Sequence, residues 1–138
     1  MDTKTYCKHL QELQRIAQAS DWIHILSIED ETINVDIKIE ELSLTANIQL
    51  ELKEINGQVL VDARLMFPNI EHPNIGHNGY VCIGHEDKDW EDSLILLIWG
   101  VAGLLVTPNF DDPLVGCCRL KTIESYLSQP GLSPSQQN

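Results

Sequence analysis

The sequence predicts an α+β domain, with helices laid against one face of a four-stranded antiparallel sheet. Three observations predict it. Residues 4 to 19 place apolar side chains at helical spacing. Residues 22 to 67 change to period-two alternation, with a hairpin signal at Asn56-Gly57. Residues 94 to 106 are apolar nearly all round, the pattern of a helix deep in a core.

Each element has its own signal. In the first helix Tyr6, Leu10, Leu13 and Ala17 share a face with Ile16 beside them, and Lys4, Lys8, Gln11, Glu12 and Arg15 take the wet side. Ser20-Asp21 ends it. Residues 22 to 28 make the first strand. In the second, Ile33, Val35, Ile37 and Ile39 alternate with Asn34, Asp36 and Lys38; in the third, Leu44, Ala46, Ile48, Leu50 and Leu52 alternate with polar residues. Val59, Val61, Ala63, Leu65 and Phe67 mark the fourth. Such alternation describes a sheet dry on one face and wet on the other. Acidic turns at Glu29-Asp30-Glu31 and Glu40-Glu41 separate the first three strands, and Asn56-Gly57 tolerates the positive φ of a tight hairpin. Asp92 or Ser93 caps the apolar helix, and Pro108 ends it. A short helix finishes near Leu127. Residues 1 to 128 form the single domain, and residues 129 to 138, with Pro130, Gly131 and Pro134, form a loose tail.

At 138 residues the chain can bury a real core without staples. Its formal charge is −12 and its pI about 4.6. Nucleic acid and anionic membranes need a positive face, so neither is an expected partner; a basic or lysine-bearing one is. The start lacks an apolar signal core, and the apolar run of residues 94 to 106 is too short to span a bilayer. Cys7, Cys82, Cys117 and Cys118 read as reduced thiols in a cytoplasm.

Residues 68 to 91 show no period. A loop this long in a small domain is usually functional or disordered, and Ile70, Ile75, Tyr80, Val81, Ile83 and Trp90 give this one anchors against disorder. It contains His72-Pro73-Asn74 and, eight residues after Asn74, Cys82. Cys82 in a glycine-bearing loop is a candidate nucleophile; flanked by Val81 and Ile83, it is equally a buried thiol. Asn74 is a candidate oxyanion donor or a turn residue after Pro73. His72 is a candidate base or a pin for loop backbone. Asp111 and Asp112 are candidates to orient or deprotonate an amine, or an Asp-Asp-Pro turn. His72, His77, Cys82 and His85 would offer zinc four ligands, but no Cys-x2-Cys pair anchors such a site, so no metal and no other cofactor is expected. A self-activated cysteine hydrolase fits poorly, because Glu86, Asp87, Asp89, Glu91 and Asp92 would disfavour a thiolate. A cysteine accepting an acyl group from another thioester needs less activation.

Together, His72-Pro73-Asn74, Gly79, Cys82-Ile83, Trp90, the helix LILLIWGVAGLL and the run PNFDDPL (108–114) resemble the ubiquitin-conjugating enzymes. The resemblance is specific over residues 65 to 114 and topological before them. It implies that family's fold: an N-terminal helix, a four-stranded meander, a long active-site loop and a central helix, here with a shortened C-terminal helical region. It also implies that Cys82 accepts a ubiquitin-like protein as a thioester from an activating enzyme and passes it to a lysine of a protein substrate. On the same basis Asn74 stabilises the oxyanion or braces the loop, and His72 and Pro73 shape it. Asp112, with Asp111 its neighbour, positions or deprotonates the lysine, and Trp90 packs beneath the site.

Two departures stand out. Gly84-His85 replaces the usual Leu-Asp after the cysteine, leaving His85 a polar role, and a plain hairpin replaces the usual proline-bearing stretch before the fourth strand. The compact form resembles bacterial relatives that act with a ubiquitin-like protein and an activating enzyme, often in antiphage defence. The alternative reading is an inactive adaptor of the same fold; such adaptors commonly lack the cysteine or the asparagine, and both are present here.

Overall fold

The structure is a computed structural model describing residues 1–82, 93–111, 120 and 122–132. The element order is α1 (Thr3–Ala19), β1 (Ile23–Ile28), β2 (Thr32–Ile39), β3 (Leu44–Ile55), β4 (Gln58–Phe67), α2 (Leu94–Val106) and α3 (Ile123–Leu127). Asp2 caps α1 by accepting the Thr5 N–H at 2.7 Å, a bond that holds its carboxyl below the usual range. Leu13 of α1 is fully buried, with Tyr6, Leu10, Ile16 and Ala17 packed beside it on the expected face.

The strands form one antiparallel sheet in the order β1-β2-β3-β4. Ile33, Val35, Ile37 and Ile39 of β2 and Ala46, Ile48 and Leu50 of β3 turn inward and are buried. The opposite face is polar. There the Asn47 amide donates to the side chains of Asn34 and Asp36 at 2.8 Å each, tying β3 to β2. Asn56 and Gly57 both have positive φ, 53° and 78°, as the tight hairpin requires. Glu40–Leu42 forms one 3-10 turn, closed by Ser43 in the left-handed region.

Neither edge of the sheet is a plain strand. On β1 the register shifts between Ile25 and Ser27, a bulge that leaves Leu26 exposed. Along β4, Asp2 bridges Gln58 and Tyr80 bridges Arg64, so two short segments lie against its outer side.

α2 lies across the dry face. Ser93 caps it, its Oγ accepting the Leu96 N–H at 3.3 Å. Leu94, Ile95, Leu97, Ile98, Val101 and Leu105 are buried, but Leu96 and Trp99 are 43% and 47% exposed. The expectation of a helix buried all round is thus corrected: one sheet covers one side of it. Trp99 instead stacks on Trp22 at a ring separation of 5.7 Å, beside an open groove of about 330 Å³ between α2 and the end of β2. The loose tail expected from Gln129 is also corrected at its start. Leu132 is fully buried, and the Gln129 side chain makes three hydrogen bonds. Residues 133–138 lie outside the described residues. Among the described residues, no helix is long and apolar enough to cross a membrane.

Candidate active site

The described part of the loop that composition singled out, residues 68–82, is built from two turns. Ile75 N–H donates to the His72 carbonyl at 3.3 Å, closing a turn with Pro73 at its second position, where a fixed φ is favourable. Gly79 N–H donates to the Gly76 carbonyl at 2.9 Å, closing the second. Between them the chain doubles back as a short ribbon. Gly76 N–H donates to Tyr80, and Cys82 N–H to the carbonyl of Asn74 at 2.8 Å. The returning arm also pairs with β4: Leu65 N–H donates to Gly79 at 2.8 Å and Val81 N–H to Ala63 at 3.0 Å. Gly79 has φ +89°, and a Cβ there would sit 2.5 Å from the Leu65 carbonyl oxygen. Only glycine lets the arm approach β4 this closely.

His72 is fully buried. Its Nε2 lies 2.7 Å from the Leu104 carbonyl oxygen, and its Nδ1 accepts the Asn74 N–H at 2.9 Å. A carbonyl only accepts, so Nε2 carries the proton and Nδ1 does not. Burial pushes the ring pKa down to about 4, with the Leu104 bond opposing that shift. The imidazole is therefore neutral with both nitrogens engaged: it pins the loop to the end of α2 and has no nitrogen left for a base or a metal ligand. Tyr126 packs edge-on against the ring at 5.0 Å and donates its own hydroxyl to the Leu105 carbonyl at 2.8 Å. Among the described residues no three His, Cys, Asp or Glu side chains gather into a metal-binding group.

Asn74 is 3% exposed. Its Oδ1 accepts the Asn109 N–H at 2.8 Å and its Nδ2 donates to the Asn109 carbonyl at 3.0 Å. The carboxamide thus joins the loop to the segment following α2. Asp111 lies in that segment, exposed, with its N–H donating to the Asn109 side chain at 3.1 Å. Cys82 is a half-buried cysteine at the end of the ribbon. On the sheet's polar face, Tyr80 lies under the Arg64 guanidinium at 5.4 Å and donates its hydroxyl to Glu51, a bond that raises the phenol's pKa. Arg64 in turn donates to the Asn78 carbonyl at 2.7 Å.

The structure brings His72, Pro73, Asn74 and Cys82 into one ribbon and joins Asn74 to the strand of chain that leads to Asp111. Asp112, Trp90 and His85 lie outside the described residues, as do Gly84 and the pair Cys117-Cys118. Sequence reasoning missed three contributors: Asn109, Tyr126 and Gln129. Asn109 follows Pro108 within the run already noted, and its backbone is what matters, which no side-chain pattern signals. Tyr126 carried a usable signal, an aromatic in a short helix with a hydroxyl that needs a partner when buried.

No protein-family model matches the chain. Over 97 residues it is 34% identical to a probable ubiquitin-conjugating enzyme of Acanthamoeba polyphaga mimivirus. The match covers 64% of this chain and 61% of the viral protein, so the similarity spans about three-fifths of each. The helix followed by a four-stranded antiparallel sheet is compatible with a ubiquitin-conjugating-enzyme-like fold, and the chain is a distant relative of that viral protein.

Proposed function

We propose that this chain is a conjugating enzyme for a ubiquitin-like protein, with Cys82 its acyl carrier. The observation that carries the reading is the hydrogen bond from the Cys82 N–H to the Asn74 carbonyl. It pairs the backbone of half-buried Cys82 with that of Asn74, whose carboxamide is fixed by Asn109. The similarity to a probable ubiquitin-conjugating enzyme supports the same reading.

In the first step Cys82 Sγ, as thiolate, attacks the thioester carbonyl of a modifier carried by an activating enzyme. A new S–C bond forms and the activating enzyme's thiolate leaves. In the second step a lysine amine attacks the Cys82 thioester. The C–N bond forms, the C–S bond breaks, Cys82 leaves as thiolate, and the amine's proton passes to a base or to water. Asp112 is the residue proposed to orient or deprotonate that lysine, with Asp111 beside it. Asn74 would act on the tetrahedral oxyanion or, as its pairing with Asn109 favours, by holding the loop in which that oxyanion forms. Trp90, proposed to pack beneath the site, and His85, proposed to take a polar role, belong to the same reading. The partners are an activating enzyme, a ubiquitin-like protein and a lysine-bearing substrate in a cytoplasm, and the setting proposed is a bacterial conjugation pathway of the antiphage kind.

The test is a charging reaction with the purified chain, a cognate activating enzyme and ubiquitin-like protein, and ATP. A reductant-sensitive adduct of higher mass, absent in Cys82→Ser, is the expected result. No adduct with a pair proven active on another carrier would refute the proposal.

A further inference from the structure

The residue that leads into the His72 turn is held by a side chain 58 positions away. Gln129 Oε1 accepts the Glu71 N–H at 2.7 Å, and its Nε2 donates to the Glu71 carbonyl at 2.7 Å. One carboxamide thus closes on both backbone groups of one residue, as Asn74 closes on Asn109. Two such clamps bracket the loop, one at each end of His72-Pro73-Asn74. Gln129 is itself held in place. Its Nε2 also donates to the Tyr126 carbonyl at 3.2 Å, and the Leu132 N–H donates to the Gln129 carbonyl at 3.2 Å. Tyr126 and Leu132, on either side, are both fully buried. Gly131, at φ +88°, makes the bend that returns Leu132 to the core.

We infer that Gln129 is a positioning residue for the loop carrying Asn74 and Cys82, acting through Glu71 and His72. The inference rests on the function proposed above. Gln129 contacts Glu71 and Tyr126, so its influence on the thiol is geometric. Transfer to lysine depends on that geometry more than charging does: a misplacement near 1 Å costs up to ~10²-fold in rate. Charging needs chiefly an accessible Sγ.

The experiment compares wild type with Gln129→Met, which keeps the side chain's length and removes both hydrogen-bonding functions. Gln129→Glu is the second variant, retaining the acceptor for Glu71 N–H but setting a carboxylate oxygen against the Glu71 and Tyr126 carbonyls. The expected result is charging of Cys82 at the wild-type rate. The maximal rate of discharge onto free lysine falls about tenfold in Gln129→Met and at least as far in Gln129→Glu, while the lysine concentration for half-maximal rate stays unchanged. A discharge rate equal to wild type overturns the inference. So does a parallel fall of charging, discharge and melting temperature, which would mark a role in stability alone. Amide hydrogen exchange supplies a reading that needs no partner protein. In Gln129→Met, protection should fall at Glu71 and also at Asn74 and Cys82. Loss confined to Glu71 overturns the inference, whether or not the wild-type chain charges; failure of wild type to charge strikes only the proposed function.

Discussion

The side chain of Asn74 and the backbone of Asn109 form a closed pair, with Asn109 N–H donating to Asn74 Oδ1 at 2.8 Å and Asn74 Nδ2 donating to the Asn109 carbonyl at 3.0 Å. The two positions are 35 residues apart, and the Asn74 side of the pair is buried while Asn109 is exposed. It joins the ribbon that ends at Cys82 to the strand of chain that leads away from α2.

Removing that pair should separate two effects. Asn74→Ala leaves the Asn109 N–H and carbonyl without their partner, and because water can reach the exposed Asn109 the cost is about 0.5–1.5 kcal/mol in unfolding free energy. In the charging assay Cys82 should still form its thioester, while discharge onto lysine slows by ~10²-fold. Single-turnover discharge and urea unfolding check the two halves. Discharge at the wild-type rate would remove Asn74 from the chemistry.

Burial of His72 makes stability depend on pH. Its folded pKa lies near 4, below the ordinary 6.5, so the unfolded chain binds the proton more readily. The neutral ring's contribution is complete above pH 6.5 and is lost as pH falls through 6.5 toward 4. By pH 5 the loss should reach about 2 kcal/mol. Urea titrations at pH 8, 6.5 and 5 on wild type and His72→Gln check this. The variant should be less stable at pH 8 and should lack the wild type's decline between 6.5 and 5.

Gly79→Ala should destabilise the chain by about 2 kcal/mol or more. The substitution forces a non-glycine residue to φ +89° and sets its Cβ 2.5 Å from the Leu65 carbonyl oxygen. The arm can relieve the contact only by leaving β4, so amide exchange should quicken first at Leu65 and Val81. Unchanged exchange at both would show that β4 does not hold the loop.

Tyr126→Phe removes one hydroxyl and keeps the ring against His72. The Leu105 carbonyl loses its donor in a buried setting, and unfolding free energy should fall by about 1–2 kcal/mol. Tyr126→Leu should cost more, because the edge-on contact with His72 goes as well. Equal losses in the two variants would show that the ring contact contributes little.

The alternation in β2 and β3 was legible because each residue's burial follows from its own parity along a strand. The hairpin at Asn56-Gly57 was legible because few other pairs tolerate two positive φ angles. The spacing of Asn74 and Cys82 was legible too, and its physical meaning is a doubled-back ribbon with a bond between the two residues' backbones. What escaped was whatever depends on partners far along the chain. The apolar count of α2 could not say that Leu96 and Trp99 would face outward, since exposure is set by what lies opposite. Gln129 sits among prolines, glycine and serines that signal a tail, yet its amide and the anchor Leu132 bind it to the core. His72 offered a base, a ligand or a pin; only the placement of Leu104 and the Asn74 N–H decided among them.

The bulge at Leu26 and the segments lying along β4 have a consequence for this acidic, sheet-rich chain at high concentration. Fibril growth needs a long, regular strand edge that a second molecule can copy. Asp2 and Tyr80 bridge the outer side of β4, and the register of β1 breaks at its middle. Among the described residues neither margin offers an uninterrupted template, so the hydrophobic Leu26 and Ile28 can stand in solvent without recruiting copies of themselves edge to edge.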